Sequence, residues 1–171
     1  MGIHERIAEL GLSLPKPPMP LASYVPYKVL NLSSAQTMLD RLEHLPVVGG
    51  MLYISGMIPL QDGVPFRTGR LGAEVSIEDA VGCAQICTLN GLAWADTALE
   101  GEIDRIIEVV QVRGYVASTP DFFDHSKVIN GCSDLLVDIF GDDGRHTRVV
   151  SGAAALPMNV PVEIDFVFSL R

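Results

Sequence analysis

The chain has 171 residues, 48% of them hydrophobic and 19% charged, with a formal net charge of −9. This composition excludes a disordered chain, and the length suffices for one domain with a hydrophobic core that needs no staples. The acidic balance weighs against a nucleic-acid footprint, because affinity for phosphates comes mainly from Lys and Arg, and no apolar run reaches membrane-spanning length.

The first residues, Met1-Gly2-Ile3-His4-Glu5-Arg6, lack a signal-peptide layout, and Arg6 spoils a myristoylation motif. The cysteines, Cys83, Cys87 and Cys132, are odd in number, so a reduced cytoplasmic protein is expected rather than a disulfide framework. Ile3, Ile7 and Leu10 predict a short helix over 3–12. Pro15, Pro17, Pro18 and Pro20 then leave an extended arm, which completes an N-terminal segment 1–21. Leu30 to Pro46 carries Ser33-Ser34-Ala35-Gln36, a capping box ahead of Met38, Leu39 and Leu42. We read an insertion at about 31–48, a short helix or long loop expected to decorate the surface rather than cover a site.

Met51 to Ile58 reads as a buried strand, and Gly56 inside it signals a bulge or a close backbone approach. Asp62-Gly63 is a hairpin signal, with Val64 to Arg70 as the returning strand. Ser76 caps a long helix with Glu78 and Asp79 in its first turn. Its stripe of Ala80, Ala84, Cys87, Gly91 and Ala95 lets it lie close on a sheet. Cys83 and Cys87 stand one turn apart without a histidine in metal-ligand spacing, so buried structural thiols are expected. Ile103 to Val116 is a strand, and Thr119-Pro120-Asp121 marks a turn and helix start. Val128, Cys132, Leu135, Leu136 and Ile139 form the face of a second helix that Gly141 ends.

The last stretch is the most strongly patterned. Val149 to Leu156 is small, apolar and uncharged, with Arg148 at its start. Leu156-Pro157-Met158-Asn159 is the turn after it. Val160, Val162, Ile164, Phe166 and Phe168 then alternate as one face of a strand, with Pro161, Glu163 and Asp165 on the other. The element order predicts an α+β fold with both helices on one face of a mixed sheet, in a single domain over 1–171.

There is no nucleophile elbow, phosphate loop or dinucleotide fingerprint, and the four histidines have no metal-ligand spacing. Arg148 is the leading candidate, because a guanidinium grips a carboxylate through two parallel hydrogen bonds. The alternative is a structural ion pair with Glu163 or Asp165.

Arg148, seven intervening residues, Leu156-Pro157 and then Val162-Glu163-Ile164-Asp165 resemble the C-terminal signature of the RidA (YjgF / L-PSP) family, and Leu52 to Pro59 extends the likeness. The resemblance implies a chorismate-mutase-like protomer and a homotrimer with ligand sites between subunits. The activity implied is hydrolysis of 2-imino acids, or their enamine tautomers, to 2-oxo acids and ammonia. No cofactor is implied, because a protonated imine is already electrophilic. Arg148 would hold the substrate carboxylate and Glu163 would direct water. Tyr24, Asn130 and backbone groups near Gly56 and Leu156 would line the site. A solvated edge charge remains the alternative for Glu163, a helix contact for Asn130 and a sheet-edge aromatic for Tyr24. Val25-Pro26 departs from the family pattern, and Val150 stands where some relatives carry a reactive cysteine, which excludes thiol chemistry there. A non-enzymatic metabolite-binding trimer is the second reading. Ribonuclease activity, an old label for the family, fits the acidic balance poorly.

Overall fold

The protein is described by a computed structural model covering residues 2–31 and 49–171. The expected insertion, with its capping box, lies outside the described residues apart from Asn31. Helix α1 (Ile3–Glu9) buries Ile7 in the core. The proline segment after it runs without regular structure to strand β1 (Tyr27–Asn31).

Strand β2 (Gly50–Met57) follows, then the two-residue strands β3 (Leu60–Gln61) and β4 (Val64–Pro65). Asp62 and Gly63 turn this hairpin at φ 51° and 81°, the left-handed geometry that the Asp-Gly signal calls for. The returning strand is shorter than expected and pairs only with β3. The partners of β2 are β1 and a strand from the far end of the chain.

Helix α2 (Ile77–Ala98) begins at Ser76, whose Oγ accepts the Asp79 N–H at 3.0 Å. Strand β5 (Ile106–Ala117) follows a single 3-10 turn at Ile103–Arg105. Helix α3 (His125–Phe140) starts after Asp124, later than the Thr119-Pro120 signal, and ends at Gly141 with φ 64°. Strands β6 (Thr147–Ala153) and β7 (Val162–Leu170) complete the chain.

The five long strands form one mixed sheet in the order β1-β2-β7-β5-β6, with only β5 and β6 parallel. Phe166 of β7 is in register with Val112 of β5 and Ile54 of β2, and these side chains meet α2 and α3 in a single core. The small residues on the helices serve this packing. A Cβ at Gly91 would lie 2.7 Å from the Phe166 ring, and one at Gly131 would lie 2.6 Å from the Val81 carbonyl oxygen. Each large apolar side chain buried in this layer contributes about 1.5–3 kcal/mol.

Two features differ from the sequence reading. Val160 is not part of β7; it packs with Ile58, Leu60 and Leu156 in a small separate cluster. The polar register of β7 is also largely buried, with Asp165 at 8% and Ser169 at 2% exposure. The reason is position: β7 is the central strand, flanked on both sides.

Candidate functional site

The bulge predicted at Gly56 is present. The β2–β7 register shifts between Ile54 and Met57, and a Cβ at Gly56 would collide with Oε1 of Glu163. This glycine leaves room for a carboxyl group beside the backbone. Next to it opens a cavity of about 550 Å³. Its walls include Tyr24, Gly56, Met57, Trp94, Pro157 and Glu163, with the arm residues Pro18 to Leu21 along one side. Glu163 is the only carboxyl among the described lining residues, and burial, reinforced by Asp165, raises its pKa above the usual carboxylate value.

Three polar anchors shape these walls. Asn90, 1% exposed on α2, donates from Nδ2 to the carbonyls of Ile58 and Leu60, both at 3.1 Å. The Trp94 indole N–H donates to the Pro18 carbonyl at 3.0 Å and holds the arm in place. Ser55 Oγ donates to the Val25 carbonyl at 2.7 Å, which ties the Tyr24 loop to β2.

Arg148 lies elsewhere. It is half-buried on β6, on the sheet face that the helices cover, and its Nη1 donates to Asn130 Oδ1 at 2.9 Å and to Ser133 Oγ at 3.0 Å. The chain of contacts continues behind it. His146 Nδ1 is 2.7 Å from the Gly144 carbonyl, which can only accept, so Nδ1 carries the proton. Nε2 then accepts the Ser133 hydroxyl at 3.0 Å. Burial, joined by the charge of Arg148, lowers the His146 pKa and keeps the ring neutral, although the Gly144 contact opposes this. Among the described residues, no carboxylate pairs with Arg148, and its Nε and Nη2 make no hydrogen bond. The structural ion pair weighed for Arg148 is therefore not formed. Asp165 pairs instead with Arg113, Oδ1 to Nε at 2.8 Å.

One chain thus brings Tyr24, Gly56 and Glu163 together, and separately Arg148 and Asn130. It does not bring Arg148 to Glu163. Strand β5 runs between β6 and β7, and Glu163, in register with Tyr115, faces away from the helices while Arg148, in register with Val112, faces them. Leu156 packs beside the cavity rather than in its wall, where Pro157 stands. Asn90, Trp94 and Ser133 did not emerge from the sequence, and His146, expected to be solvated in the polar turn beside Arg148, is instead half-buried and hydrogen-bonded. A polar Asn90 within the small-residue stripe of α2 was the one local signal.

All three cysteines are free and buried. Burial pushes the Cys83 and Cys132 thiols up to about 12, and Cys87 well above the ordinary value. Among the described residues, no group of three or more His, Cys, Asp and Glu is placed to hold a metal ion. Ser118 Oγ and His125 Nε2 are 2.9 Å apart, yet among the described residues no third group hydrogen-bonds the imidazole as a nucleophilic triad requires. No described helix is long and apolar enough to cross a membrane.

A mixed sheet covered on one face by two helices, with a pocket at a bulge of the second long strand, defines an α+β, chorismate-mutase-like protein. The chain belongs to the YjgF/RidA family: residues 22–169 match the family model described as "YjgF/chorismate mutase-like, putative endoribonuclease". It is 34% identical over 167 residues to Protein TCP17 of Trypanosoma cruzi, covering 96% of this chain and 92% of that one. A crystallised protein of unknown function from Agrobacterium tumefaciens is 34% identical, with a TM-score of 0.81, over 99% of this chain and 92% of its own. A crystallised protein of Shewanella oneidensis, labelled an endoribonuclease, is 28% identical with a TM-score of 0.84 over 99% and 100% of the two chains.

Proposed function

We propose that this protein hydrolyses 2-imino acids, or their enamine tautomers, to 2-oxo acids and ammonia, in a cytoplasmic homotrimer whose sites form between copies. The observation that carries the reading is Glu163, the sole carboxyl among the described residues of a largely apolar cavity, with its pKa raised by burial. A carboxylate with raised pKa is the better proton acceptor near neutral pH.

The chemistry balances with water alone. Water adds to the carbon of the protonated imine while Glu163 accepts one of its protons. The resulting tetrahedral adduct receives that proton on nitrogen, Glu163 takes the hydroxyl proton as the C–N bond breaks to leave a 2-oxo acid, and the departing ammonia carries that proton away as ammonium. The substrate carboxylate needs a cation, and none lines the cavity among the described residues of one chain. Arg148 of a neighbouring copy supplies it. Nη1 is held by Asn130 and Ser133, so Nε and Nη2 are left to grip a carboxylate in a fixed orientation. A ribonuclease reading, which the label of the Shewanella protein invites, is weakened by the net charge of −9.

The test is ammonia release from freshly generated 2-iminopropanoate. Arg148→Ala is expected to abolish turnover and weaken 2-oxo acid binding at least tenfold. Arg148→Lys should restore little, because an ammonium cannot reproduce the planar fork. Glu163→Gln should retain binding and lose about 10²–10⁴-fold in rate, the usual weight of a general base. Binding of 2-oxo acids by the wild type with no ammonia above the spontaneous rate would make the protein a binder. Turnover intact in Arg148→Ala, with only the melting temperature lowered, would remove Arg148 from the site.

A further inference from the structure

We infer that the cavity selects 2-imino acids with large apolar side chains, aliphatic or aromatic, over short ones such as 2-iminopropanoate, and that the arm segment Pro18 to Leu21 sets this preference. The inference rests on the imine hydrolysis proposed above and adds the substrate class.

The first argument is size. A volume of about 550 Å³ falls within the roughly 300–1,000 Å³ typical of sites for drug-sized ligands. A three-carbon acid would leave most of that space to water. The water would face Met19, Leu21, Met57, Leu60 and Trp94, which offer it few hydrogen-bond partners. Burial of each further methylene favours binding by roughly fourfold. A side chain longer by three carbons is therefore favoured by up to about 60-fold.

The second argument is that the wall is built into the fold. The arm is tied at both ends. At the start, the Ile3 N–H donates to Asp104 Oδ1 at 2.6 Å and Arg6 Nε donates to the Asp138 carbonyl at 2.7 Å. At the cavity, Trp94 holds the Pro18 carbonyl. Pro15, Pro17, Pro18 and Pro20 restrict the unfolded arm, so little entropy is lost in ordering it. The family match begins only at residue 22. The arm wall therefore lies ahead of the part that the family model covers, within the longer span shared with the solved relatives.

The experiment compares substrates on one preparation of the full chain. Imines of alanine, leucine and phenylalanine are generated in situ by an amino-acid oxidase, and kcat/KM is read from accelerated ammonia release. Binding of pyruvate, 4-methyl-2-oxopentanoate and phenylpyruvate is measured by calorimetry alongside. The expected leucine-to-alanine ratio of kcat/KM is at least tenfold, and in Met19→Ala/Leu21→Ala it falls at least threefold. The ratio does not depend on the fraction of enzyme folded. A wild-type ratio at or below one overturns this inference while leaving imine hydrolysis standing. A high ratio that the double variant keeps overturns the role of the arm. Binding graded by side-chain size without turnover supports the apolar selection and overturns the catalysis. No binding and no turnover overturns both.

Discussion

Glu163 is the residue on which the proposed site depends, and its environment has a measurable sign. Its pKa is raised above the ordinary 4.5, chiefly by burial. Below that ordinary value both folded and unfolded chains hold the proton, and the carboxyl costs nothing. As pH rises, the unfolded chain ionises first, and stability is lost up to and through the raised folded pKa. Glu163→Gln has no such dependence. The melting temperature of Glu163→Gln relative to wild type is therefore expected to rise between pH 4 and pH 8, with the two closest at the acid end. A difference of the opposite sign, growing with pH, would place a cation against this carboxyl in solution. Scanning calorimetry across that range distinguishes the two outcomes. His146 runs the other way. Its lowered pKa gives stability that is present above the ordinary 6.5 and is lost as pH falls through the folded value.

At the scale of elements, α2 does more than cover the sheet. Asn90 reaches from its buried side to the carbonyl of Ile58, between β2 and β3, and to that of Leu60 at the start of β3, and so fixes the cavity wall there. Removing the amide leaves both acceptors without that donor, at a cost of about 1–3 kcal/mol. Asn90→Ala is expected to lose that much in urea unfolding with the slope unchanged, and Asn90→Leu should not recover it. An unchanged midpoint in Asn90→Ala would mean that water replaces the side chain. Trp94, one turn further along α2, holds the arm, so a single helix positions two walls of the cavity.

At the scale of the molecule, the sheet face opposite the helices carries Leu30, Tyr53 and Val149, exposed at 41%, 41% and 56%. An exposed apolar surface of this kind is a candidate interaction face. We expect three copies to assemble through it and to bring Arg148 of one toward the cavity of the next. Sedimentation at micromolar concentration should show the trimer, and Tyr53→Asp should dissociate it with loss of turnover. A stable wild-type monomer would contradict the shared site.

The sequence alone determined the features whose physics is local. Ser76 and Gly141 bound their helices through capping groups a few residues away, Asp62-Gly63 turned its hairpin, and the alternation of Ile164, Phe166 and Phe168 placed one face in the core. Gly56 announced the close approach to Glu163, because a strand glycine needs such a reason. The spaced motifs around Arg148 and Glu163 were enough to name the family. Tertiary structure decided the rest. Arg148 and Glu163 are 15 positions apart in the chain, and adjacent motifs suggested adjacent side chains. The intervening place of β5 separates them, and that strand order follows from pairing between distant segments that no local pattern encodes. The bonds of Trp94 to Pro18 and of Asn90 to Ile58 likewise join residues far apart in sequence, and it is these non-local contacts that give the cavity its apolar wall.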